Sequence, residues 1–526
     1  MKSLTRVGIQ RALIPGFPPL LENESQDFKN EFLGRDFSAE NLQIQAKDRI
    51  QTFTSDQRAT LCHSLKVQYQ GIEIEEPVAK NLQLLQNETA VTITTGHQLS
   101  LMSGPMFFVY KILHVLNLCE LLNARQQEIH YVPLFWLASE DHDFDEIKTS
   151  NVFQQSFTWD CLGSGAVGRF STDGLGAVYQ AVFDLFRSEL QDDLKELFNL
   201  SQGDSYGQHV FKWVNRMFGT FGLVVLDADN PTLKKEAIPL FEKELTERTL
   251  AAKVSETNTR LAAFHKKPQV FVRPINVFHL SLGNRQRVEE VGSQFKLGEE
   301  SVSEEDLRTK LHEHPGSFSP NALLRPIYQE FVLPNVCYVG GGGELAYWTQ
   351  LKSSFESFGM AFPILQTRIS AFIVKQSWIS SGALHEAFAP LEEQVSKVRK
   401  SDGAQEELFH SIDQKAISLV EVLTQGVEGM GNDAHKWAGA EIAKLNANLD
   451  AYKLKWQRQH KQKFEQEIRR LEKVHQQLYP NGIPQERHQN LLHFCPDGNW
   501  RNLLSQLKEG LDPLNEEIQV FIEEGK

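Results

Sequence analysis

One acidic block in this chain has the residue types and spacing for chemistry. The seven residues from Glu140 to Glu146 include six titratable side chains, and an apolar run precedes them. Like charges held within a few ångströms must be offset by a cation, a proton or solvent. The block is therefore a solvated helix cap, a divalent-cation site, or a pocket for an ammonium group with His142 as its base. Its candidate catalytic residues are Glu140, Asp141, His142 and Asp143.

A second candidate segment, T-T-G-H-Q, ends an earlier β-branched run. Gly96 would let the backbone approach a ligand, while His97 and the two threonine hydroxyls could donate to phosphate oxygens. The Gly104-Pro105 step then opens an apolar helical stretch whose first N–H groups would attract anions. A loop histidine without a binding role is the alternative. The candidate binding residues here are Thr94, Thr95, Gly96, His97, Gln98, Gly104 and Lys111.

A third segment contains four consecutive glycines, residues 340–343, followed by E-L-A-Y-W. Because glycine loses much conformational freedom on folding, such a run indicates either close backbone approach to a ligand or a plain flexible turn. It is not a P-loop, since no G-K-[ST] follows. The candidate binding residues here are Gly340, Gly341, Gly343, Glu344 and Tyr347.

Four further charged residues are candidates for ligand binding, although each could instead have a purely structural role. Asp227 and Asp229 follow another apolar run, where they could hold a ribose or a metal or simply cap a helix. Arg325 and Arg368 could pair with a ligand carboxylate or phosphate, or could form structural salt bridges. The identity of any bound metal stays open.

Composition narrows the choice of partners. The 526 residues include 54 Lys and Arg against 68 Asp and Glu, a formal net charge of −14. Such an acidic chain is a poor general binder of nucleic acid or anionic membrane, so a small anionic substrate would need a local cluster of cations. Five cysteines show no C-x-x-C spacing, and no apolar run approaches the ~18 residues of a membrane span. We expect a cytoplasmic protein with reduced thiols.

The elements that must position these segments are predicted strands. Continuous apolar runs separated by helical periodicity indicate parallel strands that are buried on both faces, which predicts an α/β fold. Residues 1–85 predict a helical lead-in to this core. The five predicted strands are residues 90–95, 131–138, 222–226, 335–340 and 361–365.

The predicted core spans residues 1–380 and contains insertions at about 151–215 and 250–320. In the second insertion, alternating segments at 269–274 and 276–282, with a Gly283-Asn284 turn, predict a hairpin outside the parallel sheet.

Beyond the core, residues 384–424 and 434–478 predict two long helices joined by a glycine-rich hinge. The second helix has apolar residues at steps of four and three, the spacing of a coiled coil. A polar interruption at Gln459 and Lys463 predicts a stutter in this seam. We predict an antiparallel arm over residues 381–479, and a last segment, 480–526, that packs back on the core. The seam residues are Ala438, Ile442, Leu445, Leu449, Tyr452, Trp456, Ile468, Leu471, His475 and Leu478.

Together these segments resemble the BshC family of bacillithiol biosynthesis. His97 departs from the glutamine that many members carry at that position. The resemblance covers the chain from about residue 90 to its end. The matching stretches are T-T-G-H-Q-L-S-L-M-S-G-P, V-P-L-F-W-L-A-S-E-D-H-D-F-D-E, G-L-V-V-L-D-A-D-N-P, L-R-P-I-Y-Q-E-F-V-L-P-N, G-G-G-G-E-L-A-Y-W and N-G-I-P-Q-E-R.

The resemblance implies a Rossmann-like core with insertions and a coiled-coil arm that supports a homodimer. It also implies a ligase that joins L-cysteine to the amino group of glucosaminyl malate through an activated cysteine carboxylate. An adenine nucleotide, ATP or ADP, is the candidate cosubstrate, with its phosphates near Gly96. The alternatives are a non-catalytic metabolite-binding scaffold whose coiled coil binds a partner, and a nucleotidyl or glycosyl transferase. The ligase interpretation requires the loops near Gly96, Glu140 and Gly340 to meet in one crevice.

Overall fold

The computed structural model describes residues 4–17, 19–161, 163–281, 283–379, 384–400 and 403–524. Strands and α-helices within those residues are numbered in chain order. The strands are β1 Leu4–Ile9, β2 Ala90–His97, β3 His130–Leu137, β4 Thr149–Val152, β5 Gln155–Thr158, β6 Val224–Asp227, β7 Val277–Ser281, β8 Asn284–Val291, β9 Gln294–Leu297, β10 Glu300–Val302, β11 Phe318–Pro320, β12 Asn335–Gly340, β13 Ile364–Thr367, β14 Ala371–Lys375 and β15 Ile518–Glu523.

The helices of the same residues cover the sheets and form the arm. They are α1 Gln26–Phe32, α2 Ala39–Thr52, α3 Ser55–Gln68, α4 Glu76–Leu84, α5 Met106–Arg125, α6 Leu175–Phe183, α7 Gln191–Leu197, α8 Tyr206–Phe218, α9 Pro231–Glu236, α10 Ile238–Glu247, α11 Thr249–Ala263, α12 Glu304–Glu313, α13 Leu324–Val332, α14 Gly342–Trp348, α15 Lys352–Ser357, α16 Leu391–Lys400, α17 Gly403–Gln425, α18 Asn432–Leu478 and α19 Trp500–Gly510.

The central sheet has the order β13-β12-β2-β3-β6, and all of its strand pairs are parallel. The first of these strands in the chain, β2, lies in the middle, so the connections turn to opposite sides of it and create a switch point between β2 and β12. In open α/β sheets ligands bind at such a point, beyond the carboxyl ends of the strands. The predicted Rossmann-like α/β fold is confirmed, and all five predicted strands are present with small shifts of their bounds.

Helices α2 and α5 cover one face of the sheet, where their apolar side chains pack on Val91 and Ile93 of β2. By length and composition α5 alone among the described helices could cross a membrane, but 78% of its most apolar stretch is buried inside the protein. Its apolar surface is therefore already covered by the sheet and its neighbours.

A smaller sheet joins the two ends of the described chain. Strand β15 pairs antiparallel with β1 and parallel with β14, and α19 packs on α5. The predicted helical lead-in over residues 1–85 is present as α1 to α4, but the prediction is wrong at its start, where β1 is a strand. Pairing with a strand some 500 residues away supplies the hydrogen bonds of β1, for example Leu4 opposite Glu523, and local sequence carries no trace of that partner.

The insertions form antiparallel hairpins outside the central sheet. Strands β4 and β5 form one hairpin, and β7 to β11 form a sheet of order β10-β9-β8-β7-β11. The predicted hairpin is present as β7 and β8, where Ser281 pairs with Asn284, while Leu282 lies outside the described residues. The predicted strand at residues 269–274 is wrong. Its first N–H groups, of Gln269 and Val270, instead donate to the Gln350 side chain at 3.1 Å.

The arm is an antiparallel hairpin of α17 and α18, and α16 also packs on α18. Phe409 contacts Trp456, with ring centroids 5.4 Å apart, and Asp413 pairs with Lys453, so the two helices run in opposite directions. The predicted first helix, 384–424, is instead a short 3-10 turn, Leu384–Phe388, followed by α16 and α17. Residues 401–402 of this predicted helix, and residues 381–383 of the predicted arm, lie outside the described residues.

The seam of α18 differs from the prediction near its middle. Tyr452 is 54% exposed, and the neighbouring Lys453 takes its place against α17. The polar interruption is filled by His460, which stacks on Trp456 at 4.3 Å and leads to Phe464 at 4.7 Å. Where consecutive seam residues are four positions apart instead of three, the helix face that contacts α17 shifts by one residue, as it does at a stutter.

Candidate active site

The three predicted loops lie at one edge of the central sheet. His97 is opposite Leu137, Leu137 is opposite Asp227, and Gly340 is opposite Thr367. The carboxyl ends of all five parallel strands therefore form one rim, and the switch point divides it. The rim is the candidate active site.

A buried ion pair joins the two strands that flank the switch point. Lys111 Nζ of α5 lies 2.7 Å from Glu344 Oε2 of α14 and donates to the carbonyl of Gly96 at 2.6 Å. The Lys111 side chain is 1% exposed and that of Glu344 is 28% exposed. The candidate binding residues Gly96, Lys111 and Glu344 are thus in contact. The Lys111 ammonium is bonded within the protein and does not point freely at a ligand.

Glu344 is held in its ionised form. Burial alone would raise its pKa, but the Lys111 ammonium and the N–H of Gly341, which donates to Oε2 at 2.8 Å, lower the pKa of Glu344 to about 2. The same N–H bond closes the first turn of α14, so Glu344 also determines the path of the glycine turn. A Cβ at Gly343 would meet nothing within 4 Å, which leaves that backbone accessible.

His97 lies on the other side of the switch point. Its Nδ1 is 2.9 Å from the Gln98 carbonyl, and its ring packs against Phe107 and Phe108. Burial, reinforced by the Lys111 ammonium, lowers the pKa of His97 to about 4. This histidine is neutral near neutral pH and contributes a hydrogen-bonding group without charge.

Gln98 links the second segment to the acidic block. Its Nε2 donates to Asp141 Oδ2 at 3.0 Å and to Glu146 Oε2 at 2.9 Å. The N–H groups of His142 and Asp143 donate to Asp141 Oδ1. Burial raises the pKa of Asp141, but these hydrogen bonds outweigh it and the net shift is downward. Asp141 is an ionised carboxylate that shapes the loop.

His142 has a cationic neighbour that the sequence did not reveal. Arg285 of β8 donates from Nη1 to His142 Nδ1 at 2.9 Å, and it also donates to the Pro320 carbonyl at 2.9 Å. Because a guanidinium only donates, Nδ1 must accept and the ring proton must sit on Nε2. The side chain of His142 is 53% exposed. In this arrangement His142 presents a donor to the crevice and has no free lone pair for the predicted role of base.

Arg325 lies between the acidic block and the glycine turn. Its Nη2 donates to the Tyr347 hydroxyl at 2.5 Å. Burial would lower the pKa of Arg325, but Tyr347, Tyr338, Glu344 and Asp141 act together to raise it. This guanidinium is therefore a fixed positive charge among acidic groups on both sides of the switch point.

Glu140, Asp227 and Asp229 form a buried network under the rim instead of an open site. Lys234 of α9 lies 2.6 Å from both Glu140 and Asp229. Arg169 makes a bidentate pair with Asp229 at 2.6 and 2.8 Å. Asp227 accepts from the Ser139 hydroxyl. Each carboxylate thus has a partner from the protein, and the catalytic and ribose-binding roles stay predictions.

The predicted phosphate cradle is also occupied by the protein. Thr94 Oγ1 donates to the Asn335 side chain at 2.8 Å, and Thr95 Oγ1 donates to the Val339 carbonyl at 2.7 Å. A Cβ at Gly96 would lie 3.2 Å from the Trp136 carbonyl, so this glycine permits close strand packing. The predicted ligand-binding role of the threonine hydroxyls and Gly96 stays a prediction, and these intramolecular contacts do not favour it.

The Gly104-Pro105 step is held by the C-terminal segment. Asn490 donates from Nδ2 to the carbonyls of Met102 at 2.5 Å and Gly104 at 3.1 Å. The N–H of Met106, the first residue of α5, donates to the Gln489 carbonyl at 2.8 Å. One of the N–H groups predicted to attract an anion is therefore used within the chain, and Gly104, with φ +59°, forms the turn that permits it.

Comparison with known proteins decides the family. The family model described as "Bacillithiol biosynthesis BshC, N-terminal Rossmann-like domain" matches residues 21–369, and "Bacillithiol biosynthesis BshC, C-terminal coiled-coil domain" matches residues 381–523. The chain belongs to the BshC family. The resemblance seen in the sequence is confirmed.

Relatives in this family cover most of the chain. Proteins named "Putative cysteine ligase BshC" from Cytophaga hutchinsonii and Flavobacterium johnsoniae are each 33% identical to it, over 88% and 92% of both partners. A protein of the same name from Bacillus cereus is 25% identical over 80% of this chain and 83% of its own length.

Sequence reasoning missed several charged residues at or beneath the candidate site of this BshC-family protein. Arg285, Lys234 and Arg169 lie in hairpins, helices or turns without a motif of their own. Arg368, considered from the sequence, is held by Glu486 at 2.5 Å. The signal for that pair was present, since Glu486 stands in the stretch N-G-I-P-Q-E-R that carries the family resemblance.

Metal binding by side chains finds no support at the rim. Among the residues that the structure describes, no group of three or more His, Cys, Asp or Glu side chains is placed to hold a metal ion. The carboxylates of the acidic block instead have separate partners within the protein. Asp141 accepts from Gln98 and from a backbone N–H, and Asp145 forms an ion pair with Lys148.

Proposed function

We propose that this protein is a ligase that joins L-cysteine to the amino group of glucosaminyl malate and forms an amide bond. The observation that carries the proposal is the match of both BshC family models, together covering the rim and the arm. The names of the relatives, cysteine ligase in each case, support the reaction class.

The rim offers complementary charge for the two substrates. An amine arrives as an ammonium group, and the exposed Asp143 carboxylate of the acidic block suits it. The carboxylates of glucosaminyl malate suit Arg325, which is fixed between Tyr347 and the acidic groups. Holding both reactants in the orientation for attack can supply several kcal/mol of the barrier.

Asp143 is the better candidate for the proton acceptor. Its side chain is exposed, and within the described part of the chain only its N–H is engaged, with Asp141. His142 presents a donor because of Arg285 and would orient a substrate oxygen. When the amine nitrogen attacks the activated carboxyl carbon, its proton passes to a base and the activating group leaves with the carboxyl oxygen. Asp143 takes that proton in our proposal.

Activation of the cysteine carboxylate by ATP remains part of the proposal. The proposal does not place the ATP phosphates at residues 94–98, at the end of β2. The hydroxyls of Thr94 and Thr95 and the N–H of Met106 are bonded within the chain, so these groups do not fit a phosphate. We therefore assign no step to a nucleotide at Gly96.

We further propose a cytoplasmic homodimer formed through the arm. The five cysteines are free thiols, which fits a reducing compartment. Large apolar side chains on α17 and α18 remain exposed, including Ile417 at 61%, Val422 at 63% and Trp437 at 64%. Exposed apolar surface of this kind marks interaction sites.

The decisive experiment is mass spectrometry of purified protein incubated with L-cysteine and glucosaminyl malate, with and without ATP. A product one water lighter than the summed substrates supports the ligase. Product without nucleotide would keep the ligase and remove ATP. Substrate binding without product would favour the scaffold, and transfer of a nucleotidyl or glycosyl group would favour the transferase.

A further inference from the structure

A cavity of about 290 Å³ lies beside the outer strand β13, on the side of the switch point away from the acidic block. Its lining includes His114 of α5, Gln366 of β13 and Arg11 of the N-terminal segment. The cavity adjoins the candidate active site, because Arg368, which also lines it, donates its N–H to the Gly340 carbonyl at 2.8 Å.

Three polar atoms of these lining residues are buried and unpaired. His114 Nε2, Gln366 Oε1 and Arg11 Nε have no hydrogen-bond partner among the residues that the structure describes. The His114 side chain is 1% exposed and Gln366 is 8% exposed. Buried polar groups are nearly always hydrogen-bonded, so three exceptions around one cavity point to a polar occupant.

The chemistry of each atom is determined by its surroundings. His114 Nδ1 accepts the N–H of Ile369 at 3.1 Å, so Nε2 carries the ring proton and is a donor. Burial, reinforced by the nearby Arg368, lowers the pKa of His114 to about 3 and keeps the ring neutral. Arg11 is a cationic donor over the ring of Phe17. Gln366 Oε1 is an acceptor. The bound molecule must therefore have an anionic group that accepts hydrogen bonds from Arg11 and His114. It must also have a second group that donates a hydrogen bond to Gln366 Oε1.

We propose that this cavity binds an α-amino acid, with its carboxylate on Arg11 and His114 and its ammonium group on Gln366 Oε1. The Glu22 carboxylate also lines the cavity, fixed by the N–H and hydroxyl of Thr367 at 2.7 and 2.8 Å, and adds negative charge for the ammonium group. The identity of the amino acid rests on the proposed function, which makes it L-cysteine.

The test measures equilibrium binding of L-cysteine to the full chain by calorimetry, under reducing conditions and without the second substrate. Turnover is therefore not needed for a result. L-cysteine methyl ester lacks the carboxylate, and N-acetyl-L-cysteine lacks the ammonium group. We expect each analogue to bind at least tenfold more weakly than L-cysteine, because each leaves a buried group of the cavity unpaired. Equal binding of either analogue would overturn the proposed orientation.

Two variants connect the binding to this cavity. Gln366→Leu and Arg11→Lys, which keeps the positive charge but lacks Nε, should each weaken L-cysteine binding at least tenfold. The control is Lys267→Met, which removes a cation from a neighbouring cavity and should bind as the wild type does. Unchanged binding in both variants, each shown to be folded by circular dichroism, would assign water to the cavity and overturn the proposal.

The outcomes separate this proposal from the ligase. Tenfold weaker binding in the variants, with no ligation by the wild type, would keep the amino-acid site and reject the function. Ligation with an unaltered KM for L-cysteine in the variants would keep the function and reject the site.

Discussion

Lys111 and Glu344 are 233 residues apart in the chain, yet the Lys111 ammonium lies within 2.9 Å of both oxygens of the Glu344 carboxylate. This pair connects the end of β2 with the glycine turn after β12, across the switch point. The pair determines the spacing of the two loops that flank the candidate crevice. Its contribution to the free energy of unfolding can be measured.

Removal of the ammonium should destabilise the protein. Lys111→Met leaves Glu344 with a partly buried charge and no cation, and such a loss typically costs about 3–5 kcal/mol. We expect the free energy of unfolding in urea to fall by about 3 kcal/mol. The double variant with Glu344→Gln should lose less than the sum of the two single variants, because it removes both charges. Additive losses would show that the pair is not coupled.

The stability contributed by Glu344 should disappear in acid. Its folded pKa of about 2 lies below the value of about 4.3 for an unfolded glutamate, so the stabilisation is present above pH 4.3 and is lost as pH falls toward 2. The difference in unfolding free energy between the wild type and Glu344→Gln should therefore shrink between pH 5 and pH 3. A difference that stays constant over this range would contradict the depressed pKa.

Asp143→Asn should reduce kcat for ligation by about 10²–10⁴, the usual contribution of a general base. His142→Ala should have a smaller effect, mainly on KM for glucosaminyl malate, because Arg285 holds its ring as a donor. The matched control is Asp145→Asn, which removes an acid of the same block that pairs with Lys148. Loss of turnover in His142→Ala, with Asp143→Asn active, would restore histidine as the base.

Thr95→Val distinguishes a structural hydroxyl from a ligand-binding one. The Thr95 hydroxyl donates to the buried Val339 carbonyl, so its removal should lower the free energy of unfolding by about 1–3 kcal/mol. KM for both substrates and for ATP should stay unchanged. A specific rise in KM for ATP, with unaltered stability, would support the original prediction that residues 94–98 bind phosphate.

Trp437→Glu should dissociate the proposed dimer. Trp437 is 64% exposed on α18, and a charge there would oppose burial against a second arm. Light scattering should show the mass of about two 59.9 kDa chains for the wild type and of one for the variant. Gln457→Glu, at another exposed position of α18, is the control. A wild-type mass of one chain would reject the dimer.

The parallel sheet was predictable because its signal is local. Its strands are rich in apolar and β-branched residues, such as V-V-L in β6, and burial on both faces favours that composition wherever the strand pairs. The arm was predictable for the same reason, since heptad spacing is read along one helix. The sequence also predicted a stutter at the polar interruption, but it placed Tyr452 in the seam instead of Lys453, because which of the two faces α17 depends on the packing of two helices.

The site was predictable in place but not in detail. That parallel strands end at one rim follows from the α/β pattern, and Gly96, Glu140 and Gly340 do lie there. Which groups remain free for a substrate depends on contacts between distant residues: Asn335 and Val339 engage the threonines, Lys234 engages Glu140, and Arg285 engages His142. Hydrogen bonds and ion pairs act over a few ångströms, so only the assembled fold decides which neighbours meet.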